Sequence, residues 1–364
     1  MMKKSQLVGE LILVVIISIL SFACQKEVKE TAISTPLQEE KADANFPYTR
    51  LSTYGFFQGE LNKLQPMSAV ILYQPASSLF TDYALKSRFI YFPPGEKAVI
   101  EKDELYFPEG AVIIKNFYFP QDYRKLEEKR RIIETRLLIN GENGWDAYPY
   151  IWNDSQTEAI LKVVGGEIEV KFTDLKGEDQ IINYLVPNKN QCKTCHNKAE
   201  VLLPIGVKVK YLNNELQYQE GKENQLSHWT TLGKLDGFMG KDAHPSMIDY
   251  ANERLPLNDR AMAYLDINCS HCHNADGPAS TSGLFLSYDQ TDPMKLGINK
   301  TPVAAGNGAG SFNFDIVPGE ADQSILTHRM NSTEVGVAMP ELGRTTVHKE
   351  GVQLIREWIN SMEK

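Results

Sequence analysis

The sequence has 364 residues, of which 42% are hydrophobic and 23% charged. This composition is typical of a globular protein with one large core or two smaller ones, and it excludes collagen and a wholly disordered chain. Only one long apolar run is present, which excludes a polytopic membrane protein. The formal net charge is −9, so the composition does not indicate the basic surface that binds nucleic acid, and no nucleic-acid partner is expected.

Residues 1–23 predict an export signal. Lys3 and Lys4 precede an apolar stretch over residues 11–20, and small residues lead to Cys24. The apolar stretch is shorter than the roughly 20 residues that span a bilayer, which favours a cleaved signal peptide. The segment resembles a bacterial lipoprotein signal, which implies that Cys24 is lipidated and becomes the first residue of the mature chain.

Residues 24–45 are polar and charged, and they predict a flexible tether between the lipid anchor and the folded part. A lipid-anchored, exported chain would face the periplasm in the cell envelope of a Gram-negative bacterium. Gln25 follows Cys24 where an Asp would favour inner-membrane retention, so the outer membrane is favoured.

Residues 46–185 predict a β-rich domain. Short β-branched and aromatic runs alternate there with turns that contain Gly or Pro, which is typical of a mainly antiparallel, sandwich-like domain. The clearest predicted strands cover residues 69–73, 88–92, 111–119, 131–139, 147–152, 159–163 and 166–172. No P-loop, Ser-His-Asp order or H-E-x-x-H motif is present, so the sequence indicates no ligand for this domain.

The other four cysteines form two copies of one pattern, Cys192-Lys-Thr-Cys195-His196 and Cys269-Ser-His-Cys272-His273. C-x-x-C-H is the attachment signature of c-type haem. The two thiols can add to the vinyl groups of one porphyrin, and the following histidine supplies an axial imidazole to the iron. The sequence therefore predicts two haem c groups, with His196 on the iron of haem one and His273 on the iron of haem two.

Two other uses of the cysteines are weaker interpretations. Two C-x-x-C pairs can hold one zinc ion through four thiolates, but both trailing histidines would then be unexplained. A redox-active C-x-x-C normally follows a strand in a βαβ unit, and the context here is different.

Residues 251–364 resemble a class I cytochrome c domain. Residues 257–267 predict a helix that leads to Cys269, with Asn258 or Asp259 as its N-cap, and residues 347–362 show a helical period of apolar residues. Between these helices, Met339-Pro340 matches the pair that supplies the sixth iron ligand in that family. The resemblance implies that Met339 coordinates haem two; the alternative is a core methionine.

Residues 186–250 predict the first haem-binding segment, but no Met-Pro pair follows its motif. An open sixth position on haem one is one possibility. Otherwise the candidate sixth ligands are Met239, His228, Met247 and His244. Of these, His228 falls in a helix predicted to begin near Asn224.

The whole chain from about residue 50 to 361 resembles a family of largely uncharacterised bacterial dihaem c-type cytochromes. Segments that carry this resemblance are Tyr54-Gly-Phe-Phe57, Ser78-Leu-Phe-Thr-Asp-Tyr83, Glu134-Thr-Arg-Leu-Leu138, Val303-Ala-Ala-Gly306, Asp315-Ile-Val-Pro-Gly319, Ser324-Ile-Leu326 and Met339-Pro-Glu-Leu-Gly-Arg344. The family implies a multidomain fold, an N-terminal β domain followed by a mainly α haem region, and electron transfer without a known substrate. Arg329 and Arg344 are possible partners for the haem propionates.

Three functions remain open from the sequence. The leading one is an electron carrier, with acidic residues outnumbering basic ones fourteen to nine in residues 251–364, so that a basic redox protein is the expected partner. The alternative is a dihaem peroxidase-like oxidoreductase with an open haem-one site. In the third, the β domain binds a ligand and the haems only carry electrons away from that domain.

Overall fold

A computed structural model describes residues 46–303 and 305–364, and Pro47–Lys364 form one compact unit. The signal peptide, Cys24 and the tether lie outside the described residues. Within those residues no helix combines the length and apolarity needed to cross a bilayer. The predicted domain boundaries near residues 185 and 250 stay predictions.

The N-terminal half is mainly antiparallel β, as predicted. Its strands are β1 (Phe57–Gln58), β2 (Gln65–Pro66), β3 (Val70–Leu72), β4 (Leu85–Tyr91), β5 (Ala98–Glu101), β6 (Glu104–Tyr106), β7 (Val112–Pro120), β8 (Arg130–Gly141), β9 (Gly144–Trp152), β10 (Ala159–Leu161), β11 (Gly166–Thr173) and β12 (Asp179–Val186). Six of them form one antiparallel sheet in the order β10-β9-β8-β7-β4-β3, while β11 and β12 form a separate hairpin.

The second half contains short strands and seven helices among the described residues. The strands are β13 (Asn197–Lys198), β14 (Val201–Leu202), β15 (Glu215–Gln217), β16 (Lys222–Asn224) and β17 (Leu235–Asp236). The helices are α1 (Lys189–Cys195), α2 (Val209–Leu212), α3 (Gln225–Thr231), α4 (Leu257–Asn268), α5 (Pro293–Leu296), α6 (Ile325–Met330) and α7 (Lys349–Asn360). Helix α3 begins directly after Asn224, as predicted, and the Asn224 side chain caps it.

The six-stranded sheet is buried on both faces. Successive side chains of a strand point to opposite faces, and β7 and β8 accordingly carry nearly continuous runs of buried residues. One face packs on residues near the start of the described chain, such as Leu51 and Phe56. The other face presents Ile113 and Leu138 to Cys192 in α1 and to residues that follow α1, such as Val207 and Val209. The first cysteine motif is thus built directly onto the sheet.

Helices α4 and α7 cross closely at Gly351. A Cβ on Gly351 would come within 2.5 Å of Tyr264 ring carbons, so only glycine allows this approach. Both helices contribute to one apolar cluster. The predicted N-cap of α4 is wrong: Pro256 occupies that position, and Asn258 instead accepts a hydrogen bond from the Trp358 indole at 3.0 Å.

Candidate functional site

A cavity of about 350 Å3 lies between the sheet and the helical half. Residues of both cysteine motifs line it. Its lining includes Cys192, Cys195, His196, Cys269, His273 and Met339. Residues far apart in the sequence therefore meet around one space.

Helix α1 positions the first motif. A reciprocal capping box fixes its start: the Asn188 side chain accepts from the Gln191 backbone N–H at 2.8 Å, and the Gln191 side chain accepts from the Asn188 N–H at 2.9 Å. Cys192 and Cys195 are three residues apart and therefore lie on one face of this helix. His196 follows at the C-terminal end of α1.

His196 is held as a neutral imidazole. Its Nδ1 lies 2.9 Å from the Leu203 carbonyl oxygen, which can only accept, so Nδ1 donates and Nε2 keeps its lone pair. Burial lowers the pKa of His196 to about 3. An imidazole oriented by a carbonyl at its second nitrogen is the usual form of a histidine that binds a metal.

His273 is arranged in the same way. The Ser282 hydroxyl donates to the Ala279 carbonyl oxygen at 2.7 Å, so it accepts from His273 Nδ1 at 3.2 Å. Burial lowers the pKa of His273 to about 4. Nε2 of His273 is therefore also available as a ligand atom.

The two motifs touch each other. One ligand atom from each of Cys195, Cys272 and His271 falls within 4.8 Å of the others. The hydrogen bond with the Cys272 thiol lowers the pKa of Cys195, and His271 lowers it further. Among the residues the structure describes, the buried Nδ1 of His271 has no hydrogen-bond partner. Sequence reasoning missed His271, because it occupies a variable position of the haem signature.

The four cysteines in the described part of the chain are free thiols. The first motif offers two thiols on one helix face, each motif offers a neutral imidazole, and Met339 adds a thioether on the same cavity. This donor set fits two haem c groups, each with two thiols and an axial imidazole.

Met339 is held by Arg344. The Arg344 guanidinium donates to the carbonyl oxygens of Ser332 at 2.7 Å, Met339 at 3.0 Å and Arg329 at 3.3 Å. The Met339 N–H in turn donates to the Arg329 carbonyl oxygen at 3.1 Å. Arg344 is thus engaged with the backbone of the Met339 loop. Arg329 likewise donates to a backbone carbonyl, that of Val337, at 2.9 Å.

The β-rich half braces the same loop. The buried Asp82 carboxylate accepts from the backbone N–H groups of Thr345 at 2.7 Å and Thr346 at 2.8 Å, and from both threonine hydroxyls. These threonines directly follow Arg344. The structure thus ties the segment before β4 to the loop that presents Met339.

The four candidate sixth ligands of haem one are not among the residues that line the cavity. His228 stacks on Tyr218 and is 3.0 Å from a Glu223 oxygen. His244 is 2.7 Å from an Asp103 oxygen. Met247 is buried in a cluster with Tyr211, whereas Met239 is 77% exposed.

Comparisons of the chain with protein-family models, with curated proteins and with solved structures give no match. The function is therefore inferred from the chain's own residues and their geometry.

Proposed function

We propose that this chain is an exported dihaem c-type cytochrome that carries electrons. The observation that supports this most is that two complete C-x-x-C-H motifs meet at one cavity, with Cys195 and Cys272 side by side. When bound, the two haems supply one-electron redox chemistry. Adjacent attachment sites favour electron exchange between them.

The two motifs would hold their groups in the same way. Cys192 and Cys195 would bond haem one, and Cys269 and Cys272 would bond haem two. His196 and His273 would each offer Nε2 to an iron, because their Nδ1 atoms are committed to Leu203 and Ser282.

Residues 251–364 form the class I cytochrome c-like region of this proposal. The crossing of α4 and α7 at Gly351 and the position of Met339 on the cavity support it. Met339 would supply a thioether to the iron of haem two, a soft ligand that favours ferrous iron and raises the reduction potential.

The export signal and Cys24 support a lipid-anchored, periplasm-facing location in the cell envelope, with the outer membrane favoured. The acidic character of residues 251–364 supports a basic redox protein as partner. The membrane is reached through the lipid on Cys24.

The second candidate is a dihaem peroxidase-like enzyme with an open haem-one site. One observation favours it: none of Met239, His228, Met247 and His244 lines the cavity that contains His196. Such an enzyme would use His196 as its proximal ligand and leave the other side of the iron for substrate.

A carbon monoxide difference spectrum of the reduced holoprotein separates the two candidates. Carbon monoxide binds ferrous haem only at an open or easily vacated position. For the electron carrier we expect two haems and no binding. Binding at half of the haem, followed by peroxide turnover, would instead establish the enzyme.

A further inference from the structure

A row of cations crosses the cavity face of the six-stranded sheet. Arg88 in β4 is the register partner of Lys115 in β7, and Lys115 is the register partner of Arg136 in β8. All three side chains line the cavity. Like charges directly opposite each other on neighbouring strands repel, so this row destabilises the sheet unless anions lie against it.

Among the described residues, only Arg136 of this row has an ion-pair partner. Arg136 Nε is 2.5 Å from a Glu134 oxygen, and the Tyr184 hydroxyl donates to the other Glu134 oxygen at 3.0 Å. Within the described residues, Arg88 and Lys115 have no ion-pair partner, although Arg88 is only 7% exposed. Burial lowers the pKa of Lys115, and repulsion by Arg88 and Arg136 lowers it further. A buried cation without an acidic partner is costly, so this row favours the binding of an anion.

The row lies beside the first motif. Lys115 and Arg136 are both within electrostatic reach of His196, and Lys115 is within reach of Cys195. Next to the row, Ile113 and Leu138 also line the cavity and form a cluster with Cys192. The sheet thus presents an apolar patch by the thiols and a cationic edge beside it.

A porphyrin has this same pattern, with a flat apolar ring and two propionate carboxylates on one edge. Arginine and lysine are the side chains that pair with such carboxylates, and these bonds are strongest away from water. Arg329 and Arg344 are less suited to haem one, because both hold the Met339 loop and Arg329 acts electrostatically on His273 of the second motif.

We propose that the cationic row of Arg88, Lys115 and Arg136 binds the propionate carboxylates of haem one and raises its reduction potential. This inference rests on the proposed function. Reduction adds an electron to the haem, and nearby cations stabilise the added charge.

The test uses the full-length holoprotein and begins with the number of covalent haems per chain. Spectroelectrochemical titration then compares the wild type with Lys115→Met. We expect the reduction potential of one haem to fall by ~59 mV. This shift corresponds to a ferrous-to-ferric ratio about tenfold lower at a fixed applied potential. The redox-linked infrared bands of carboxylates should shift as well. Arg131→Gln removes a charge from an exposed position of β8 and should leave both potentials unchanged.

If Lys115→Met does not fold, Arg88→Gln provides the same test, and Lys115→Arg should keep the wild-type potential. Two haems with unchanged potentials in Lys115→Met and Arg88→Gln would overturn the inference while the proposed function stands. Binding of added nitrite or phosphate near haem one in the wild type, lost in Lys115→Met, would also overturn it, since the row would then serve a free anion. Fewer than two covalent haems would overturn the proposed function itself.

Discussion

Cys195 and Cys272 offer sulfur atoms within 4.8 Å of each other, although they belong to different C-x-x-C-H motifs. The sheet carries the first motif through α1, and α4 delivers the second motif to the same cavity. The two cysteine motifs are therefore neighbours in space, as rapid exchange of electrons between the two proposed haems would require.

Replacing Arg344 with Leu should release the Met339 loop. The variant loses the hydrogen bonds to the carbonyls of Ser332, Met339 and Arg329, so the thioether should leave the iron of haem two. We expect the potential of that haem to fall by at least ~59 mV and the reduced protein to bind carbon monoxide. Arg356→Leu, which removes an ion pair with Asp322, is the control. A wild-type potential in Arg344→Leu would contradict the positioning role.

Replacing Asp82 with Asn should weaken the hydrogen bonds that join the β-rich half to the threonines after Arg344. The amide keeps one acceptor oxygen, whereas the carboxylate accepts four hydrogen bonds from Thr345 and Thr346. We expect a loss of about 1–3 kcal/mol in the free energy of unfolding, measured in denaturant. Asp322→Asn, at an exposed carboxylate, is the control and should leave the free energy of unfolding close to that of the wild type. Equal stability of the two variants would show that the hydrogen bonds of Asp82 do not stabilise the fold.

Replacing Gly351 with Ala should separate α4 from α7. The new Cβ would clash with the Tyr264 ring, and such overpacking typically costs about 1–3 kcal/mol. Denaturant unfolding measures the loss. Gln353→Ala, at an exposed position of the same helix, is the control. A Gly351→Ala protein as stable as this control would show that the helices do not depend on the close approach.

The ion pair between Asp146 and Lys189 should make stability sensitive to acid. It joins β9 to the first residue of α1, with Nζ 2.5 Å from a carboxylate oxygen. Burial alone would raise the pKa of Asp146, but hydrogen bonds from Lys189, Tyr148 and the Ala147 N–H outweigh it and lower that pKa. The stabilisation is therefore present above the unfolded value of about 3.9 and is lost as the pH falls through the lower folded value.

We expect Asp146→Asn to lose about 1 kcal/mol at pH 7, after allowance for solvent screening, and this difference from the wild type to shrink between pH 7 and pH 2. Urea unfolding at both pH values measures this. A difference that stays constant with pH would contradict the electrostatic origin. Asp154→Asn, which removes an exposed pair with Arg131, should show no such dependence.

Electron exchange with a basic redox protein should slow as salt is added. The screening length falls from about 30 Å at 0.01 M to about 3 Å at 1 M, so attraction to the acidic residues 251–364 is lost. Stopped-flow rates should fall steadily over this range. Rates that are independent of ionic strength would exclude electrostatic docking.

The sequence predicted the features that depend on local pattern. The strands at residues 111–119 and 131–139 are confirmed as β7 and β8, because runs rich in β-branched and aromatic residues favour strands. The predicted helix that leads to Cys269 is confirmed as α4, because its apolar residues recur with a helical period. The short hairpin of β5 and β6 was not predicted, because its turn and flanks are rich in charged residues.

The site was predicted only where its residues are close in the sequence. Cys192, Cys195 and His196 form one short motif. By contrast, the meeting of Arg88, Lys115 and Arg136 depends on the register of three strands. The contact of Asp82 with Thr346 depends on how the two halves pack, which no local pattern records.

The central claim is that two haems are bound covalently at neighbouring sites, and intact mass of the purified full-length protein tests it most directly. Expression in a host with cytochrome c maturation should give two haem masses in the wild type. The Cys192→Ser/Cys195→Ser and Cys269→Ser/Cys272→Ser variants should each retain one. A wild-type chain without covalent haem, or one carrying zinc that is lost on replacing Cys195, His271 or Cys272, would contradict the claim.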